Sequence, residues 1–192
     1  MELKTRQIEI VEAAGRLLTQ KGINGLTIKN LAKEMHFSES AIYRHFESKE
    51  EIIIALLRYL ADTIDHRLRS MSLSGKTDVD LKNLFDEQFL FFSEHHHFVV
   101  AVFSDGLMEE SVSINKAIES LIGIMTRQLT AIVSEGQKTG QIRDDMATEH
   151  LIQIILGTYK LQMFKWRLAV FTFNLPAEGS QLIDTILRLI KK

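Results

Sequence analysis

Only one proline, Pro176, occurs in 192 residues, and no stretch sustains the apolar–polar alternation of a half-buried strand. A chain so poor in helix breakers, and lacking the two-residue period, is left with helices as its building material. The expectation is an all-α protein of about nine helices. The ten glycines are spread thinly, and a composition that is 45% hydrophobic and 25% charged is that of a folded chain rather than a disordered one.

The local signals place the first elements. Ile8, Val11, Ala14 and Leu18 recur at three- and four-residue steps over residues 4–21, one apolar helix face, and Gly22 suits a left-handed C-cap. Thr27 can N-cap a second helix over 28–35, with Leu31, Ala32 and Met35 inward. In "HFSES", Ser38 is an N-cap for a short third helix, and Phe37 with Ile42 can staple its entry. His36 stands where a tight turn prefers glycine, and histidine is among the residues that tolerate positive φ. Ser48 and Glu51 form a capping box for a long helix over 49–71, whose run Ile52–Leu57 is too continuous for a single face.

Beyond it, "SLSGKTD" (72–78) reads as a linker. Leu81, Leu84, Phe85, Phe89 and Phe92 form a helical stripe, and residues 98–108 a short apolar helix. "MEESV" connects to a long helix over 113–138, and two more helices are expected near 147–172 and 177–191.

A short helix, a turn and a second short helix are the parts of a helix-turn-helix, in which the second helix enters the major groove. Ala41, Ile42 and Phe46 can pack on Leu31 and Ala32, leaving Glu39, Ser40, Tyr43 and Arg44 on the open face. Tyr43 offers a phenol, and Lys49 an ammonium at the start of the next helix, where backbone N–H groups favour phosphate. Net charge does not advertise such a role. It is −2 overall, with eight Lys or Arg against seven Asp or Glu in residues 1–50 (+1) and 15 against 18 beyond (−3). Contact with nucleic acid must come from a few placed groups, not from a basic field.

Other chemistries lack their parts. With no cysteine there is no disulfide, thiolate nucleophile or Cys-ligated zinc. "HHH" at 95–97 puts side chains about 100° apart on a helix, so they do not converge on one ion. The pairs Glu109–Glu110 and Asp144–Asp145 have no base or nucleophile beside them, and no Gly-x-Ser-x-Gly, His-Glu-x-x-His or phosphate-cradling glycine loop occurs. No catalytic residue, metal or cofactor is expected. The N-terminus lacks a signal pattern, and the apolar region 151–173 is interrupted by Gln153, Lys160, Gln162, Lys165 and Arg167, so a cytoplasmic protein with no membrane span is expected.

"TIKNLAKEMHFSESAIYRHFESKEEII" resembles the DNA-binding signature of TetR/AcrR-type transcriptional regulators, over residues 4–57. "FSDGL", "EGQKTGQIRDD" and "GTYKLQMFKWRLAVFTFNLPAEG" are similar to a common C-terminal pattern of that family. The resemblance implies a head over 1–46 and a ligand-binding and dimerisation domain over 47–192, joined by helix 49–71. It implies that Thr27, Ser38, Tyr43, His45 and Lys49 meet phosphates or support the groove-facing helix, and that Glu39, Ser40 and Arg44 read bases. His36 departs from the family's usual glycine.

Two further sets follow. The aromatic and methionine-rich residues (Phe85, Phe89, Phe92, Phe103, Met108, Met125, Met163, Phe164, Trp166) must supply core. The resemblance makes Phe85, Phe89, Phe92, Phe103, Met125, Phe164 and Trp166 candidates to line a pocket for a small apolar or aromatic ligand. The last two helices are apolar on two sides, so one side can meet the chain's own core and the other a second copy, Gly157 allowing close approach. Ile155, Tyr159, Leu182 and Ile186 are the expected homodimer contacts. The expected function is a homodimeric repressor released from a palindromic double-stranded operator by its ligand. The alternative is a protein of the same fold that binds a protein partner or coats the nucleoid without an effector.

Overall fold

The computed structural model describes residues 3–103, 105–107 and 110–192. Nine α-helices run through them: α1 (Thr5–Gly25), α2 (Ile28–Glu34), α3 (Glu39–Tyr43), α4 (Lys49–Arg69), α5 (Thr77–Glu94), α6 (Val99–Phe103), α7 (Val112–Lys138), α8 (Thr148–Leu168) and α9 (Leu175–Ile190). No strand forms among the described residues; an isolated antiparallel bridge joins Ile142 to Lys191. The chain is all-α. Pro176 lies in the first turn of α9, where no intrahelical donor is needed, behind an Asn174 cap whose side chain accepts from the Ala177 N–H.

Two compact units emerge, Met1–Ile64 with His97–Ile122, and Asp65–His96 with Gly123–Lys192. This division falls within α4 and α7, whereas the sequence suggested a boundary at residue 46.

In the first unit α1 packs on α2 and α6, and α2 on α3. Leu17, Leu18, Leu31, Ala32, Ile42 and Phe46 are buried. Gly22 does break α1, at φ 68° and ψ −174°, a region open to glycine alone. Gly15 lets Phe98 approach α1 so closely that an added Cβ would sit 3.0 Å from its ring, and Thr19 there donates to the His97 carbonyl (2.8 Å). Ile52, Ile53, Ala55, Leu56 and Leu57 are all buried, so the continuous apolar run of α4 is covered on more than one side.

In the second unit α5 packs along α9, and α8 along α9. Phe85, Phe89 and Tyr159 form a ring cluster, Tyr159 lying 5.3 and 5.4 Å from the two phenylalanines. The 72–78 segment, read as a linker, is fastened down. The buried Asp80 carboxylate accepts from Ser74 N, Ser74 Oγ and Gly75 N, while the Gln141 side chain spans Thr77 N and the Gly75 carbonyl.

His36 takes φ 55° in the α2–α3 turn, as the sequence expects of a residue standing in for glycine. Left-handed backbone costs an L-residue about 1–2 kcal/mol, partly offset because glycine adds freedom to the unfolded chain. His36→Gly is therefore expected to stabilise the protein by ~0.5–1 kcal/mol, raising Tm by about 1–4 °C in thermal unfolding. An unchanged or lower Tm would show that the His36 side chain contributes contacts worth more than the strain.

Candidate nucleic-acid interface

The interface is built from the caps outward. The Thr27 hydroxyl accepts from the Asn30 N–H (3.1 Å), and the Asn30 amide donates to the Gly25 carbonyl (2.8 Å), which fixes the start of α2. The Ser38 hydroxyl accepts from the Ala41 N–H (3.2 Å) and shares a hydrogen bond with Ser40 Oγ (2.9 Å). Both capping assignments made from sequence hold. Ile42 and Phe46 anchor the short α3 in the core, Phe37 lies under the Arg6 guanidinium (5.2 Å to its ring), and Gln7 donates to the His45 carbonyl (3.3 Å). The turn after α3 is thus tied to α1 through the backbone of His45.

With its apolar side so fixed, α3 presents Glu39, Ser40, Tyr43 and Arg44 to solvent, Tyr43 being 51% exposed. A phenol of that exposure on an anchored five-residue helix is available to a partner. Lys29 and Lys33, four apart on the exposed side of α2, add two ammonium groups that the sequence reading did not single out. Their signal was present, an i,i+4 lysine pair opposite the buried Leu31 and Ala32.

Lys49 is in a different situation. Its ammonium lies 3.3 Å from the Glu110 carboxylate and 3.4 Å from the Ile23 carbonyl. The first turn of α4 also carries its own carboxylates. Glu51 N–H donates to Ser48 Oγ, Glu51 accepts from the Glu47 N–H (2.6 Å), and Glu50 accepts from Ser111 Oγ (2.7 Å). A phosphate approaching Lys49 competes with Glu110, but a half-exposed pair of this kind is worth only about 0–1 kcal/mol.

The expected ligand-lining residues separate in the structure. Phe85, Phe89 and Phe92 are fully buried, and Phe103, Met125 and Trp166 nearly so. Trp166 donates its indole N–H to the Phe173 carbonyl (3.0 Å) and packs edge-on to Phe171. Burial pushes the Tyr159 phenol well above the ordinary tyrosine range. Phe164, by contrast, is 43% exposed on the outer side of α8 and lines no interior. Met108 lies outside the described residues.

The expected dimer contacts also divide. Ile155, Tyr159 and Ile186 are buried in the chain's own core, and Leu182 is half-buried. The apolar residues that α8 leaves exposed are Ile154, Leu161, Phe164 and Leu168, with Gly157 among them, at alternating steps of three and four. Leu189 on α9 is exposed as well. Both faces of α8 are apolar, and Phe85 and Phe89 claim the one that carries Tyr159. Among the described residues no group of three or more His, Asp or Glu is placed to hold a metal ion, and no helix is long and apolar enough to cross a membrane.

Residues 10–56 match the profile of the family described as "Bacterial regulatory proteins, tetR family". The HTH-type transcriptional repressor KstR2 of Mycobacterium tuberculosis is 25% identical over 159 residues, 82% of this chain and 79% of its own length. The nucleoid occlusion factor SlmA of Vibrio atlanticus is 28% identical over 132 residues, covering 68% of this chain and 67% of its own. Among solved structures, that of the ketosteroid transcriptional regulator KstR2 of M. tuberculosis superposes with a TM-score of 0.81 at 22% identity, covering 100% of this chain and 97% of the other. FadR of Bacillus subtilis, solved in complex with stearoyl-CoA, superposes at 0.76 and 19%, over 97% of each chain.

Proposed function

We propose, for a chain that belongs to the TetR family of bacterial regulatory proteins, that it acts as a homodimeric repressor released from a palindromic operator by a small apolar or aromatic ligand. It is a DNA-binding transcriptional regulator, not an enzyme. The observation that carries the reading is the anchored α3, held by Ile42 and Phe46 and offering Glu39, Ser40, Tyr43 and Arg44 outward. Residues 1–46 are the operator-binding head and 47–192 the part that dimerises and takes the ligand, in the cytoplasm where the operator is.

The exposed stripe Ile154–Leu161–Phe164–Leu168 of α8, with Leu189 of α9, supports pairing with a second copy. A dimer needs its groove-facing helices about 34–36 Å apart to meet successive major grooves, so a modest change in spacing abolishes binding. The buried phenylalanines of α5, together with the stearoyl-CoA complex of a structural neighbour, support an apolar effector.

Operator binding tests the head. Tyr43→Phe and Lys49→Ala are expected to weaken binding by similar factors on every sequence, and Lys49→Ala to lower the magnitude of the salt slope by about 1. Arg44→Ala is expected to relax preference at one position of each half-site, a discrimination of about 1–3 kcal/mol. Binding curves unchanged by Tyr43→Phe and Lys49→Ala in a folded protein would remove the assignment. The similarity to a nucleoid occlusion factor supports a second reading, a nucleoid-associated role without an effector. Mapping bound genomic sites separates the two: one or two palindromes beside an operon fit the repressor, and hundreds of scattered sites fit the other.

A further inference from the structure

Past its first turn, which buries Thr77 and Asp80, the interior side of α5 is carbon with one exception. Gln88 is 1% exposed, flanked a turn away by Leu84, Phe85, Phe91 and Phe92, all buried. Its Nε2 has no hydrogen-bond partner among the described residues. On the same stretch of α5, Arg67 lies over the Phe91 ring (5.5 Å to the centroid) and gives Nη2 to the Glu87 carboxylate (2.8 Å). Its Nε is likewise buried and unpartnered. Folded proteins pair nearly all such groups, because each one left unmade is expensive.

The two orphans agree in sense. A glutamine carboxamide can turn over and exchange donor for acceptor, but a guanidinium has only donors, so Arg67 fixes what is missing as an acceptor. Its charge is already balanced by Glu87, so the matching group is neutral, and a free carboxylate would face Glu87.

Resting on the reading that this protein takes an effector, we propose that Gln88 is the polar end of the effector site, with Arg67, which packs on Phe91 one turn along α5, as its second donor. The effector it selects presents a neutral carbonyl oxygen, that of a ketone or ester, on an otherwise apolar body. Gln88 donates from Nε2 to that oxygen, Arg67 Nε supports it, and Phe91 and Phe92, the buried rings a turn along α5, receive the hydrocarbon. An amine or a bare hydrocarbon leaves the donors unpaired and binds less tightly.

Butyrophenone and butylbenzene share a skeleton and differ in the carbonyl, so calorimetric titration of the full-length protein with each isolates that group. The wild type is expected to prefer the ketone by about tenfold or more. Gln88→Leu, or Gln88→Met where leucine packs poorly, is expected to abolish the preference by weakening the ketone alone. Arg67→Lys, which keeps the charge toward Glu87 and drops Nε, is expected to reduce it partway. Without any probe, Gln88→Leu is expected to melt about 2–6 °C higher than the wild type, because an unpaired buried donor has been removed.

Equal affinities of the wild type for the two probes, or binding of neither, would overturn the assignment. So would a ketone preference surviving in Gln88→Leu and Gln88→Met, the result expected if another group recognises the carbonyl. A lower Tm for both variants would also overturn it, since it would place Gln88 in a bonded structural role. Operator release is scored separately. Ketone selection through Gln88 without any change in operator affinity supports the site and removes ligand control.

Discussion

Leu161→Glu is expected to yield a folded monomer at micromolar concentration, with operator affinity lowered by ~100-fold or more. Leu161 is 57% exposed in the single chain, midway along the stripe that Ile154, Phe164 and Leu168 complete. A carboxylate there faces water in the monomer and costs the fold little. In a two-fold interface the same patch meets itself, so one substitution introduces two buried, unpaired charges, each worth several kcal/mol. Every 1.4 kcal/mol is tenfold in the dimerisation constant, and two half-sites held by separate monomers lose their joint binding. Ile155→Glu is the control, on the buried side of the same helix. At 1% exposure its charge enters the chain's own core, and the expected result is loss of helicity and of Tm, not a clean monomer. Sedimentation with circular dichroism separates the outcomes. A Leu161→Glu protein that still sediments as a dimer would show that this face of α8 is not the interface.

The contrast between Leu161 and Ile155 also marks where the sequence stopped being readable. Periodicity established that α8 has two apolar sides, and that is correct, but it carries no information about which side the rest of the chain claims. That choice is made by Phe85 and Phe89, some seventy residues away, closing on Tyr159. Phe164 was grouped with the ligand-lining aromatics because of its side chain, and its place on the exposed stripe is again a tertiary fact. The head was legible because its determinants are local. Thr27 and Ser38 each cap within three residues, Gly22 and His36 each set one φ, and Ser48 bonds the N–H of Glu51. Where a tertiary partner intervenes, the local sequence is silent, as with the Lys49 ammonium at the start of α4, whose carboxylate neighbour Glu110 comes from the connector before α7. The 72–78 segment is the same case, since glycine and serine composition says loop while the Asp80 carboxylate pins it in place.

Gly179→Ala is expected to destabilise the protein by about 1–3 kcal/mol, lowering Tm by ~2–12 °C, although alanine is the better helix former. A Cβ on Gly179 would fall within the Phe89 ring's contact radius, 2.7 Å from Cγ. Phe89 cannot retreat, for it is fully buried with Phe85 6.3 Å and Tyr159 5.4 Å away, centroid to centroid. The glycine therefore stands inside α9 against its own propensity, because it lets α5 and α9 close over the phenylalanine. Gly123 in α7 supplies the opposite case. Among the described residues an added Cβ there meets only Arg127 Nη1, at an ordinary 3.6 Å, so Gly123→Ala is expected to stabilise by about 0.5–1 kcal/mol. Phe89→Leu, which trims the ring, should cost less in the Gly179→Ala background than alone, giving a coupling energy of about 0.5–3 kcal/mol in a double-mutant cycle. Urea unfolding of the four proteins measures it. Stability at or above wild type for Gly179→Ala, or strict additivity with Phe89→Leu, would mean that α5 and α9 do not approach each other through this contact.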